Sequence, residues 1–113
     1  MAHDELLAAR MRDALEGLAG ISEKRMMGGV CFLLDGNMLC GADRPKTGEG
    51  RFMFRVGKDN QADALARPGA QPMDMGGRRM NGFVFVEAEA CDDAAMKEWI
   101  SLALGFVGGL PPK

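Results

Sequence analysis

Lys24-Arg25-Met26-Met27-Gly28-Gly29-Val30-Cys31-Phe32-Leu33-Leu34-Asp35-Gly36-Asn37-Met38-Leu39-Cys40-Gly41-Ala42, followed after a polar loop by Arg51-Phe52-Met53-Phe54-Arg55-Val56, is the stretch that decides the fold class. Asp35-Gly36 stands between two apolar runs and predicts a two-residue hairpin turn, in which both residues take positive φ. The run from Gly29 to Leu34 is apolar on both faces, as expected of a strand inside a sheet. Gly28-Gly29 leads into it and is expected to bend the chain beside a close neighbour. The third strand alternates, with Phe52, Phe54 and Val56 on one face and Arg51, Met53 and Arg55 on the other.

Helical periodicity flanks this block. Leu7, Met11, Leu15 and Leu18 recur at helical spacing within residues 4–19, with Leu6 and Ala14 beside them. Asp4 is placed to cap that helix and Gly20 to end it. A short helix is expected over 59–66, with Ala62, Leu65 and Ala66 inward, stopped by Pro68-Gly69. Residues 68–80 are rich in Gly and Pro and read as a long loop. Phe83 to Glu87 reads as a further strand. Asp92 caps a last helix ending near Val107, with Met96, Trp99, Ile100, Ala103 and Val107 as its core stripe. Leu102 and Phe106 lie off that stripe and are candidate self-association residues. The expected order is α-β-β-β-α-β(-β)-α, an α+β domain with a mainly antiparallel sheet and flanking helices.

The 113 residues are expected to form one domain, 1–113. Apolar residues are 47% and charged residues 27%, ordinary for a globular chain, and no apolar run approaches the ~18 residues of a membrane span. A net charge of −2 disfavours a protein that coats nucleic acid. Three cysteines and an acidic start without a signal peptide point to the cytoplasm. Charge is uneven: residues 21–58 carry seven Lys/Arg against four Asp/Glu, and residues 83–113 carry two against five. Such asymmetry suits the steering of a partner or the pairing of two copies.

Arg25-Met26-Met27-Gly28-Gly29-Val30, Leu34-Asp35-Gly36-Asn37-Met38 and Phe54-Arg55-Val56-Gly57 carry a family resemblance. Gly77-Arg78-Arg79-Met80-Asn81-Gly82-Phe83 and the closing Ala103-Leu104-Gly105-Phe106-Val107 with Leu110-Pro111 extend it. Through these segments the chain resembles the N-terminal domain of the TfoX/Sxy family of competence regulators, differing at Met27, where the family usually has Phe. The resemblance implies a small α+β fold similar to secretion-chaperone-like domains, here as a stand-alone domain. It makes Gly28, Gly29, Asp35, Gly36 and Gly82 structural motif residues. Long members add a helical second domain and act as transcriptional co-regulators of DNA-uptake genes beside another DNA-bound regulator.

Chemistry-bearing motifs are sparse. The double glycines lack the strand–glycine–helix context of a phosphate loop, His3 is the only histidine, and Cys31, Cys40 and Cys91 have no paired spacing, so no catalytic residue, metal or cofactor is expected. Counting outward from the Asp35-Gly36 turn, Leu34 faces Asn37, Leu33 faces Met38, Phe32 faces Leu39, and Cys31 faces Cys40. That makes Cys31 and Cys40 a candidate redox pair. Lys24, Arg25, Arg51, Met53, Arg55, Arg78 and Arg79 are the candidate partner-binding surface. Seven of the ten methionines lie between Met26 and Met80, and thioethers suit adaptable surfaces. The expected role is a non-enzymatic interaction module with a protein, or a second copy of itself, as partner. Direct nucleic-acid binding and a thiol-based redox response are the alternatives.

Overall fold

The computed structural model describes residues 5–26, 29–44, 50–75 and 78–113, without the side chains of Glu5, Met26, Asp74, Met75, Arg78 and Arg79. The Asp4 cap, Gly28, most of the loop after Asp43 and Gly76-Gly77 lie outside the described residues. The elements are α1 (Glu5–Ala14), β1 (Ile21–Met26), β2 (Gly29–Leu34), β3 (Asn37–Asp43), β4 (Arg51–Arg55), α2 (Gln61–Leu65), β5 (Ala70–Met75), β6 (Arg78–Glu87) and α3 (Asp93–Val107). Short 3-10 turns precede α2 and α3. The six strands form one sheet in the order β1-β2-β3-β4-β6-β5, every neighbouring pair antiparallel. This is the expected α+β architecture.

All three helices contribute to one core on one side of the sheet. Leu7, Met11 and Leu15 from α1 and its following turn, Ala64 from α2, and Met96, Trp99, Ile100, Ala103 and Val107 from α3 meet Phe32, Leu39, Phe52, Phe54, Val84 and Val86. Phe54 stacks on Trp99 at 5.4 Å between ring centroids. The last helix begins as its sequence requires: the Asp92 side chain accepts a hydrogen bond from the Ala95 backbone N–H at 2.8 Å.

The Asp35-Gly36 turn has the expected positive φ at both residues, +50° and +85°. It also receives the end of the chain. The Lys113 N–H donates to the Asp35 carbonyl at 2.8 Å, and buried Asn37 donates to the Pro111 carbonyl at 2.9 Å.

Several expectations are corrected. Leu18 is exposed, because α1 ends at Ala14 and the chain turns before reaching it. Ala64, not Ala62 or Ala66, is the buried alanine of α2, because that helix starts late, after a 3-10 turn. Residues 68–80 are not a loop: Ala70–Met75 is the outermost strand β5, and Arg78–Met80 already belong to β6. Pro72 is tolerated there because an edge strand need not donate on its outer side. Ile21–Met26 is a strand too, on the opposite edge.

Candidate interaction surface

Among the described residues, no helix contributes to the cluster of buried side chains on the second face of the sheet. Cys31, Met53, Met73 and Phe85 are buried there, with Met38, Met80 and Phe83 packed on them and only partly covered. Strand register explains the grouping. One row runs Lys24–Cys31–Gly41–Met53–Phe85–Gln71 across all six strands, and cross-strand partners share a face. The side chains enclose an apolar groove of about 310 Å³.

A kink in β6 shapes one wall of the groove. Pairing with β5 shifts between Pro72 and Asp74, so that Met80–Phe83 stand opposite Met73 alone. Gly82 occupies the kink at φ +87°. Its carbonyl accepts from the N–H groups of Val56 and Gly57 at 2.8 and 3.0 Å, and its own N–H donates to Gln61 Oε1 at 2.8 Å. The role assigned to Gly29 also has a physical basis: a Cβ there would lie 2.7 Å from the Ala42 carbonyl oxygen.

The candidate cations divide by strand alternation. Lys24, beside Cys31, shares the open face with Arg51, Met53 and Arg55. Arg25 pairs with Val30 and belongs to the helix side. Arg78 and Arg79 open β6, and their side chains are outside the described residues. Arg51 is held: its Nε and Nη2 donate to the two Asp43 carboxylate oxygens at 2.9 and 3.2 Å, and its guanidinium lies 3.6 Å above the Phe85 ring centre. Arg55 lies 5.6 Å from the Phe83 ring centre and 5.5 Å from that of Phe106. Both cations lie close to aromatic rings, a weakly attractive arrangement of ~0.5–1 kcal/mol at exposed sites.

On the helix side, Leu102 and Phe106 are half-buried and pack against the main core. Phe106 covers Gly57, where a Cβ would lie 2.6 Å from its ring. Leu102 borders a shallow, more polar groove with Trp99, Arg67 and Glu98. The chain's own residues therefore cover part of the apolar surface assigned to self-association.

The family model of the TfoX N-terminal domain matches residues 13–107, nearly the whole chain. The chain belongs to the TfoX N-terminal domain family. Searches of curated proteins and of solved structures give no match. The TfoX N-terminal domain is a regulatory, competence-related family and not an enzyme family. Asn37 is the one buried polar residue among the described residues, and its amide is committed to Pro111. No helix among them is long and apolar enough to cross a membrane.

The cysteines of this TfoX N-terminal domain do not stand as the hairpin count places them. A β-bulge follows the turn: Leu33 pairs with Met38, but Phe32 pairs with Cys40 and Cys31 with Gly41. The extra residue, Leu39, shifts the register by one, and sequence gives no compositional sign of it. Cys40 consequently joins the helix-side core and Cys31 the open-face cluster. Burial pushes all three thiols up, Cys91 to about 11. The expected result of mild oxidation of the folded protein is an unchanged count of three free thiols by Ellman titration after unfolding. A count of one in a monomer, with Cys91 mapped as the remaining free thiol, would show that Cys31 and Cys40 join.

Proposed function

We propose that this domain is a regulatory protein-interaction module that takes an apolar segment of a partner protein into the open-face groove. The observation that supports this reading is the methionine- and phenylalanine-lined groove on the helix-free face, with Lys24 and Arg55 on the same face. Thioether side chains adapt to differently shaped apolar partners, and rim charges orient the encounter more than they hold the complex. The engagement of Arg51 with Asp43 argues against phosphate contact at that position.

The test is capture with tagged protein from a lysate of its own cells, with and without nuclease. A specific protein that survives nuclease supports the reading. Material lost with nuclease would move the function to nucleic-acid binding. Arg55→Glu is the variant to compare, because Arg51→Glu would also set a carboxylate against Asp43 and disturb the fold. Capture by Arg55→Glu is expected to weaken roughly tenfold, about 1.4 kcal/mol, while the melting temperature falls by no more than several degrees, as loss of the ring contacts of Arg55 predicts. Unchanged capture would remove this face from the interface.

A further inference from the structure

Five sulfur-bearing residues line the open-face groove: Cys31, Met38, Met53, Met73 and Met80. Each comes from a different strand, β2 through β6 in turn. Gly41 stands between Cys31 and Met53 in the same row, so no side chain separates those two; a Cβ there would lie 2.9 Å from the Val30 carbonyl oxygen. We propose that this groove binds one soft monovalent metal ion, copper(I), through the Cys31 sulfur and thioethers drawn from Met38, Met53, Met73 and Met80.

Ligand chemistry selects the ion. Thiolate and thioether donors favour Cu(I), whereas carboxylate and carbonyl oxygens favour Mg²⁺ and Ca²⁺. No group of three or more His, Cys, Asp or Glu gathers among the described residues, so the ligand sets of zinc and the hard cations are absent there. Asp43 borders the groove, but its carboxylate is engaged by Arg51. Charge selects the ion a second time. One thiolate and neutral thioethers around Cu(I) sum to zero, which an apolar groove accepts. A divalent ion on the same ligands leaves a buried positive charge, which is costly. Methionine's three rotatable bonds allow the thioethers to close on an ion much smaller than the groove. On binding, the Cys31 S–H bond breaks, its proton passes to solvent and a sulfur–copper bond forms. Copper remains Cu(I), and no electron moves. The site stands whether or not a partner protein uses the same face.

The test is anaerobic titration of the whole chain against Cu(I) held by bicinchoninate, together with methionine methyl NMR on addition of Ag(I), a diamagnetic ion of the same class. The expected result is withdrawal of one equivalent of Cu(I). The methyl signals of Met53 and of at least two among Met38, Met73 and Met80 should shift, while those of Met11 and Met96 in the helix-side core stay in place. Loss of outer-shell support alone costs metal sites about 10–100-fold, so Cys31→Ser and Met53→Leu should each weaken binding by at least about tenfold. Cys91→Ser should leave binding unchanged. Leu for Met nearly conserves volume, so folding is retained, and the NMR reading on the unmodified chain needs no variant. Failure of the wild-type protein to withdraw copper overturns the proposal. So does wild-type affinity in both Cys31→Ser and Met53→Leu, or a response confined to Cys91.

Discussion

Truncating Phe54 to alanine is expected to remove about 3–5 kcal/mol of folding stability, the usual cost of deleting a buried phenyl ring from a core. Phe54 is fully buried between β4 and α3, stacked on Trp99 at 5.4 Å and tilted against Phe52 at 6.4 Å. Its removal leaves a cavity at the junction of sheet and last helix, where Trp99 loses its stacking partner. Domains of this size hold only about 5–15 kcal/mol in total, so the variant should melt more than ~10 °C below the wild type. Thermal unfolding followed by circular dichroism measures this directly. A fall of only a few degrees would mean that α3 does not rest on the sheet through this pair. Met53→Leu on the other face should cost less than about 1.5 kcal/mol, because volume is kept and the smaller cluster can repack.

The second large effect is expected at Gly57. Its backbone sits at φ +89° and ψ 154°, a region essentially reserved for glycine, where strain alone costs about 1–3 kcal/mol. A Cβ there also meets the Phe106 ring at 2.6 Å. Gly57→Ala should therefore lose at least about 2 kcal/mol in urea unfolding, with the steric and conformational parts adding. A double-mutant cycle separates them. Phe106→Ala in the same chain should relieve the contact and give a coupling energy of at least about 0.5 kcal/mol, while the dihedral strain persists. Additive single effects would show that Phe106 does not lie over Gly57. The pair also bears on self-association: a ring seated on its own chain's glycine is less available to a second copy.

The parts of the fold written in strong local signals were legible in sequence. Asp35-Gly36 fixed a turn that tolerates few other residue pairs, and the alternation from Arg51 to Val56 assigned both faces of β4 correctly. The spacing of Met96, Trp99, Ile100, Ala103 and Val107 found the buried stripe of α3. The two edge strands were not legible, for opposite reasons. β1 exposes Ser22, Glu23, Lys24 and Arg25, so no apolar alternation marks it. Besides its ladder with β2, it makes a bidentate contact in which Arg12 donates to Glu23 at 2.7 Å from each nitrogen, a tertiary contact between α1 and the edge. β5 carries Pro72, which argues against an interior strand but not against an edge.

The site was half legible. Arg51, Met53 and Arg55 were placed on one face, and Lys24 joins them there. The gathering of Met38, Met73 and Met80 around Met53 depends on the kink at Gly82 and on long-range strand order, neither of which local periodicity encodes. Arg25 was misassigned to the group because a neighbour in sequence is not a neighbour on a pleated surface.

The extra residue in β3 has a last consequence, one of parity. Met38 and Gly41 share the open face although they are three positions apart, an odd interval that a regular strand forbids. Leu39 and Cys40 share the opposite face although they are adjacent. The strand therefore obeys one odd–even rule up to Leu39 and the inverse rule from Cys40 onward. Pairing that irons out the irregularity while keeping every residue must exchange the faces of one half of the strand, sending either Met38 into the helical layer and Leu39 out of it, or Cys40 out of it. Deleting Leu39 alone would instead restore regular alternation with both halves on their present faces.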